Sequence, residues 1–175
     1  MAETPPQFLT LKRNRDLGGL ERRPWTRTIL LLLLTLVIVA GLLNVFGQRP
    51  STKTVTVPSA TFEVYAPDTL RGGLIFMARF TIDAREDLDD ATIVLDPGWL
   101  EGITLNTVEP SPVGEASRDG RLALDFGHVA AGSRLIAFLQ FQVNPTEVGR
   151  QPADVDLYDG ETLLAHVDRR VTVWP

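Results

Sequence analysis

The sequence of 175 residues contains no cysteine. This absence excludes disulfides, thiol catalysis, cysteine-ligated metal sites and a lipid anchor attached to cysteine. Histidine is also scarce: the sequence has two, His128 and His166. Nothing in their spacing indicates that they share a site. A zinc site needs three or four ligands of histidine, cysteine or carboxylate type. The sequence therefore predicts no metal centre and no cofactor.

Motifs of catalysis are missing as well. No Gly-x-Ser-x-Gly turn presents a serine nucleophile, and no glycine-rich loop is placed to hold a phosphate. A set of serine, histidine and aspartate can be composed from Ser133, His128 and Asp125, but no pattern in the sequence brings them together. We therefore predict that the chain is not an enzyme, with a hydrolase as the remote alternative.

The acidic run at 86–90, Glu-Asp-Leu-Asp-Asp, clusters the carboxylates that calcium prefers as ligands. It lacks the spacing of the calcium-binding loop, in which three acidic or amide positions precede a glycine and a distal glutamate. The run predicts a solvated turn, and calcium binding there stays an open alternative.

The longest apolar run in the sequence extends over 29–46 and carries no charge. As a helix with about 1.5 Å rise per residue it is roughly 27 Å long, close to the ~30 Å hydrocarbon core of a bilayer. Only a helix or a closed barrel satisfies its backbone groups in lipid, and one segment cannot form a barrel. We predict a single transmembrane helix over 28–47.

Two alternatives explain an apolar run near the N-terminus. A helix buried in the core of a soluble domain can be equally apolar. A cleavable signal peptide also has basic residues before an apolar region, but that region is usually shorter, about 7–15 residues. No small-x-small cleavage site follows this run, which favours an uncleaved signal anchor.

The distribution of arginine predicts the orientation of this helix. Five arginines precede it closely, at positions 13, 15, 22, 23 and 27, whereas Arg49 and Lys53 follow it. The positive-inside rule then places the N-terminus in the cytoplasm and the rest of the chain outside the plasma membrane. Arginine favours anionic head groups and aromatic rings favour the interface, so five residues are predicted there: Arg22, Arg23, Trp25, Arg27 and Phe46.

The charge divides along the chain in the same way. Residues 1–28 carry six basic and three acidic side chains, whereas residues 50–175 carry ten basic and nineteen acidic ones, a net charge of −9. We predict a mobile, basic cytoplasmic tail over 1–27, which faces the anionic lipid bilayer, and a linker over 48–53. The acidic C-terminal part argues against nucleic acid as a partner, because phosphate binding needs a positive surface.

From residue 54 to 175 the apolar pattern has a period of two, typical of β-strands. In the segment 74–83, for example, Leu74, Phe76, Ala78, Phe80 and Ile82 share one face. Turn signals recur every 8–12 residues, and Asp159-Gly160 is the strongest hairpin signal. We predict an all-β immunoglobulin-like sandwich of seven to nine strands behind the transmembrane helix, with a barrel as the alternative.

The run at 119–134, Asp-Gly-Arg-Leu-Ala-Leu-Asp-Phe-Gly-His-Val-Ala-Ala-Gly-Ser-Arg, resembles a segment of bacterial surface immunoglobulin-like domains of the conserved-repeat and adhesion type. In that segment a strand is followed by glycine, by Ala-Gly-Ser and by a long apolar strand. The turn Pro97-Gly98 is similar to a turn of the same domains. The resemblance covers about 60–173, and it implies a spacer, stalk or binding module without catalytic residues.

Two tryptophans and a leucine are candidates for contact with a partner. Trp99 and Leu100 follow a probable loop, and Trp174 lies near the end of the sequence. Exposed aromatic residues are frequent hot spots of binding, although Trp99 can equally close one end of the core. The sequence thus favours an accessory or assembly subunit that binds a membrane or envelope protein. The alternative is a module that binds cell-wall polymer or another extracellular ligand.

Overall fold

The computed structural model describes residues 24–45 and 47–175, in two compact units that divide between Leu43 and Asn44. Within the described part, the first unit contains the helix α1, and the second contains all the β-strands. The first 23 residues, with Arg22 and Arg23, and also Phe46 lie outside the described ranges. The predictions for them stay predictions.

Helix α1 (Pro24–Leu42) begins and ends earlier than the predicted span of 28–47. Proline suits a first helical turn because the amide N–H that it lacks has no helical acceptor there. At the other end, Asn44 has a positive φ of 54°, a left-handed conformation that terminates a helix. The 18 residues Trp25–Leu42 are long and apolar enough to cross a membrane, and their side chains are exposed, unlike those of a core helix.

Twelve strands follow the helix: β1 (Arg49–Thr56), β2 (Ala60–Arg71), β3 (Ile75–Ala84), β4 (Ala91–Leu95), β5 (Ile103–Glu109), β6 (Gly114–Arg118), β7 (Arg121–Asp125), β8 (Arg134–Val143), β9 (Gly149–Pro152), β10 (Val155–Asp159), β11 (Thr162–Val167) and β12 (Arg170–Trp174). A short 3-10 turn, Pro97–Trp99, lies between β4 and β5.

The strands form two sheets, which confirms the predicted immunoglobulin-like sandwich and excludes the single closed barrel. The larger sheet has seven strands in the order β5-β8-β3-β2-β12-β9, with β1 paired to β2. The smaller sheet has five strands in the order β11-β10-β4-β7-β6. All pairs are antiparallel except β2 with β12.

The number of strands exceeds the predicted seven to nine because two strands lack a clear alternating pattern and a third follows β11 almost directly in the sequence. β6 is polar and largely exposed, and β9 is a four-residue edge strand that ends in Pro152. Val171 and Val173 extend the apolar pattern of β11, which predicts one continuous strand, but β12 belongs to the other sheet. The interruption is Arg169, whose backbone N–H donates to Asp154 Oδ1 at 2.7 Å instead of continuing a ladder.

Two predicted boundaries are also wrong. The linker over 48–53 is mostly strand, because β1 begins at Arg49 and pairs with β2 from there. The residues from Asp68 to Gly73 carry turn signals in the sequence, but the turn is confined to Gly72 and Gly73, since pairing with β1 and β12 holds the preceding residues extended. Gly73 has a φ of 79°, which a residue without a Cβ adopts at no steric cost.

The core lies between the two sheets and follows the alternation seen in the sequence. Phe76, Ala78, Phe80 and Ile82 of β3 are buried, as predicted, whereas Leu74 precedes the strand and is exposed. In β8 the buried positions are Ala137, Leu139, Phe141 and Val143. Burying aromatic and aliphatic side chains is the main favourable contribution to the folding free energy. The sandwich therefore has a core large enough to fold without disulfides.

Candidate partner-binding face

The structure places Trp99 in the core, not at the surface. The side chain is only 3% exposed, and its indole Nε1 donates to the carbonyl oxygen of Ala153 at 2.9 Å. Its ring centroid lies 5.7 Å from that of Phe80 and 5.3 Å from that of Phe141. This position agrees with the alternative prediction, in which Trp99 closes one end of the core. The prediction that Trp99 contacts a partner is wrong, because the buried indole has almost no surface exposed to a partner.

The other two predicted contact residues are at the surface. Leu100, directly after the 3-10 turn, is 37% exposed, and Trp174, the last residue of β12, is 45% exposed. The backbone of Trp174 is held in place, since its carbonyl oxygen accepts a hydrogen bond from Gly72 at 2.8 Å. Both residues stay predictions as partner contacts. The predicted interface residues Trp25 and Arg27, in the first turns of α1, are exposed as well.

A different group of apolar side chains stands out on the larger sheet. Ile75 and Met77 of β3 and Ile136 and Phe138 of β8 point away from the core, and each is between 37% and 53% exposed. We call these four residues the β3–β8 face. Met77 lies opposite Gln140 in the ladder, so Phe138 is its diagonal neighbour, within reach of a long side chain. The face thus consists of two apolar pairs on one side of the sheet, Ile75 with Met77 and Ile136 with Phe138, which meet at Met77 and Phe138.

The charges beside this strip are already compensated. Arg79 forms an ion pair with Glu63 at 3.1 Å, and its guanidinium lies 5.0 Å from the centre of the Tyr65 ring. Arg134 forms an ion pair with Asp83, which raises the pKa of the guanidinium through a hydrogen bond. With both cations neutralised, the centre of the face is apolar without an unpaired positive charge.

The edge strand β5 borders the β3–β8 face. A shallow groove runs between them, lined by Thr107, Glu109, Pro110 and Ser111 on one side and by Ile136 and Phe138 on the other. The ladder between β5 and β8 is interrupted between Leu105 and Thr107, where Asn106 forms a bulge. Sequence reasoning did not select this site. The available signal was that β3 and β8 are apolar on both faces, which a half-solvated sheet does not need.

The outer face of the smaller sheet is polar by contrast. The Asp156 carboxylate lies between two cationic partners, at 2.6 Å from His166 Nδ1 and at 2.5 Å from Arg121 Nη1. The hydrogen bond to Asp156 raises the pKa of the His166 imidazole. Nearby, the Arg118 guanidinium lies 4.2 Å from the centre of the Tyr158 ring. These contacts form a network of ion pairs rather than a binding strip.

The residues considered for catalysis do not come together. Asp125 Oδ1 accepts a hydrogen bond from the backbone N–H of Gly127 at 2.6 Å, and His128 Nε2 lies 3.9 Å from Asp87. Ser133 is engaged through its backbone N–H, which donates to Ala130. Within residues 24–45 and 47–175, no hydrogen bond joins a histidine to a serine or threonine hydroxyl.

The acidic turn at 86–90 also uses its carboxylates locally. Asp87 Oδ1 accepts a hydrogen bond from the backbone N–H of Ala131 at 2.7 Å. Asp90 lies beside Asp125, and the hydrogen bond between the two carboxyl groups raises the pKa of Asp90. In the described part of the chain, no group of three or more acidic, histidine or cysteine side chains is placed to hold a metal ion.

Comparison with known proteins gives structural likeness alone. No protein-family model and no curated protein matches the sequence. A CARDB domain from Pyrococcus furiosus is 12% identical over 68% of this chain and 97% of its own, with a TM-score of 0.43. The cohesin domain CaCohA2 from Clostridium acetobutylicum is 14% identical over 60% of this chain and 86% of its own, with a TM-score of 0.40.

A third similar structure is the third cohesin of ScaC from Acetivibrio cellulolyticus, solved in complex with the ScaB dockerin. It is 12% identical over 61% of this chain and 94% of its own, with a TM-score of 0.41. TM-scores of this size carry no argument about function. The assignment of the fold therefore rests on the two sheets themselves, and the assignment of a function rests on the surface of this chain.

Proposed function

We propose that this chain is a single-pass membrane protein whose extracytoplasmic sandwich binds another membrane or envelope protein, as an accessory or assembly subunit. The observation that carries the proposal is the β3–β8 face, a strip of large apolar side chains that the fold leaves in contact with solvent. Exposed apolar strips of this kind, with polar residues around them, are typical of protein–protein interfaces.

The membrane part of the proposal is supported by α1 and by the charges before it. The helix is long enough to span the hydrocarbon core. The arginines N-terminal to it favour a cytoplasmic N-terminus by the positive-inside rule. The sandwich then lies outside the plasma membrane, where its net negative charge is compatible with a role in protein binding.

We infer a non-catalytic role for the same domain. The two histidines face carboxylates, and neither is paired with a hydroxyl nucleophile among residues 47–175. The alternative function, binding of wall polymer, usually requires aromatic rings exposed for stacking on sugars. On this side of the sandwich the Tyr65 ring is covered by Arg79, which leaves Phe138 as the aromatic residue of the strip. A protein partner fits this face better than a polysaccharide.

The experiment is purification of the tagged full-length protein from native membranes in mild detergent, followed by mass spectrometry. Phe138→Lys places a charge in the β3–β8 face, whereas Leu163→Lys places the same charge on an exposed leucine of β11 in the other sheet. We expect one stoichiometric membrane protein with the wild type and with Leu163→Lys, and about tenfold less of it with Phe138→Lys. A chain that is purified alone, or equal recovery with both variants, would contradict the proposal.

A further inference from the structure

The edge strand β5 carries fewer residues that block pairing than the other edges of the sandwich, and its one irregularity is the bulge at Asn106. β9 is short and ends in Pro152, and β6 carries charged residues, among them Glu115 and Arg118. β11 contacts β1. β5 has seven residues, contains no lysine, arginine or proline, and is charged only at its last residue, Glu109. Natural sheets usually block an exposed edge with such residues, because its free N–H and C=O groups bind other strands.

The side chains beside this edge leave room for an additional strand. On the side of β5 the groove is bordered by the small side chains of Thr107 and Ser111, whereas Ile136 and Phe138 project from the neighbouring strand. In a sheet, alternate side chains of each strand point to the same side. A segment paired with β5 would therefore place every second side chain on the side of the sheet that carries the β3–β8 face, next to Thr107 and Glu109 of β5.

The charges of the groove define the partner further. Glu109 is the one charged residue that lines the groove, and no cation within the described ranges forms an ion pair with it. The cations nearest to the strip, Arg79 and Arg134, are already paired with carboxylates. The part of the chain after residue 49 is acidic as a whole, with a net charge of −9. The groove therefore favours a segment that is apolar with a basic residue at one end.

We propose that an extended segment of the partner protein adds to β5 as a further strand, with apolar side chains on the same side of the sheet as Ile136 and Phe138 and a basic side chain at Glu109. This inference rests on the proposed function and specifies how the partner is recognised. A second copy of the chain is disfavoured as the occupant, because two domains of charge −9 repel each other. Strand addition takes its affinity from backbone hydrogen bonds and its specificity from alternate side chains.

The test uses the full-length protein in lipid nanodiscs and a synthetic peptide in which valine and threonine alternate and one end carries arginine. Hydrogen exchange of the β5 amides is followed with and without the peptide. A peptide with glutamate in place of arginine tests the charge, and one with proline at alternate positions tests backbone pairing. We expect the arginine peptide to slow exchange in β5 and to bind about tenfold more tightly than the glutamate peptide. The proline peptide should have no effect on exchange.

Two variants make the test specific for this edge. Thr107→Lys introduces the residue that commonly blocks sheet edges, and Thr162→Lys is its matched control, an exposed threonine on the edge strand β11. We expect Thr107→Lys to weaken binding at least about tenfold and Thr162→Lys to leave it unchanged. Glu109→Lys should reverse the preference, so that the glutamate peptide binds more tightly than the arginine peptide.

Several outcomes would overturn strand addition. These are unchanged exchange in β5, protection of β11 instead, equal effects of the two lysine variants, and β5 protection that depends on protein concentration without peptide, which would identify a second copy as the occupant. If strand addition is overturned but Phe138→Lys still loses the purified partner, the proposed function remains intact and this mode of recognition is excluded. Peptide binding at β5 without any membrane partner would instead overturn the proposed function.

Discussion

Arg169 shows how one residue links the two sheets. Its side chain is 3% exposed, and Nη2 donates both to the carbonyl oxygen of Ala66 at 2.9 Å and to Asp68 at 2.8 Å. The guanidinium also lies 5.7 Å from the centre of the Trp99 ring. Burial lowers the pKa of this arginine from its usual value, opposed by the attraction of Asp68. A buried cation persists in a core only when such contacts compensate its lost hydration.

Replacing Arg169 is therefore expected to destabilise the sandwich strongly. Arg169→Ala removes the bonds to Ala66 and Asp68 and the contact with the indole, and the expected loss of unfolding free energy is about 3 kcal/mol. Arg170→Ala is the matched control, because the neighbouring side chain is exposed and should change the free energy by less than about 0.5 kcal/mol. Denaturant unfolding of the full-length variants in detergent measures both. Equal effects would refute the structural role of Arg169.

His166 gives the stability of the domain a dependence on pH. Its pKa is raised above the usual 6.5, first by the hydrogen bond to Asp156, and also by the charges of Asp154 and Asp168. A histidine with a raised folded pKa stabilises the fold fully below the unfolded pKa. That contribution is lost as the pH rises through the higher, folded pKa. Arg121 donates a hydrogen bond to the other carboxylate oxygen of Asp156, Oδ2, and this ion pair does not depend on the protonation of His166.

We expect His166→Gln to lower the thermal unfolding temperature at about pH 5.5 and to have a smaller effect at about pH 8.5. Because the imidazole is about half exposed, solvent screens the pair and the difference should be modest. His128→Gln removes the other histidine, leaves the Asp156 pair in place and should retain the wild-type difference between the two pH values. A deficit of His166→Gln that grows with pH would contradict the assignment.

At the scale of elements, the 3-10 turn between β4 and β5 depends on a close backbone contact. Gly98 lies so near β9 that a Cβ atom added to it would be 1.7 Å from the carbonyl oxygen of Pro152 and 2.9 Å from its carbon. Backbone atoms cannot swing aside as a flexible side chain does, so the two segments would have to separate. The same turn positions Trp99 in the core.

Gly98→Ala is accordingly expected to lower the unfolding free energy by about 3 kcal/mol. The control is Gly114→Ala in β6, where the added Cβ would meet Asp125 Oδ2 at an ordinary 3.5 Å. There the effect should be a stabilisation of at most about 0.5–1 kcal/mol, since alanine has less backbone freedom to lose than glycine. Denaturant unfolding curves of the two variants measure both changes in unfolding free energy. A neutral Gly98→Ala would show that β9 and the turn are not in close contact.

The same elements show what could be predicted from the sequence. β3, β7, β8 and the β10–β11 hairpin follow from alternation and from turn residues such as Asp159-Gly160. β4 is a short apolar run that is buried at every position and ends at Asp96-Pro97-Gly98. β6 and β9 have no such signal, since they are short, polar edges held by their neighbours. The parallel pairing of β12 with β2 joins distant parts of the chain, and no local pattern encodes it.

The candidate site was harder to predict than the fold. The sequence singled out tryptophans as contacts, but Trp99 finds a hydrogen-bond acceptor in Ala153 and fills the end of the core instead. The β3–β8 face consists of ordinary aliphatic residues and one phenylalanine, whose exposure depends on strand register. Phe138 becomes a diagonal neighbour of Met77, and Ile136 lies opposite Thr81, only when β8 pairs with β3 in the observed register. That pairing is a property of the whole sheet.

The whole molecule combines two independent features. One is a predominantly apolar helix of 18 residues that is long enough to span a bilayer, and the other is a sandwich with apolar side chains exposed on its larger sheet. The absence of cysteine makes both accessible to a single experiment, because any introduced thiol is unique in the chain. The central claim is that the sandwich lies outside the membrane and presents the β3–β8 face to another protein.

The most direct measurement is cross-linking in intact cells with a membrane-impermeant reagent that joins a thiol to an amine. Phe138→Cys carries the thiol in the β3–β8 face, and Leu163→Cys carries it on β11 of the other sheet. We predict that both thiols react in intact cells and that only Phe138→Cys gives a heavier adduct containing a second protein. Thiols that react only after the cells are permeabilised would contradict the orientation, and identical adduct patterns from both positions would contradict the binding face.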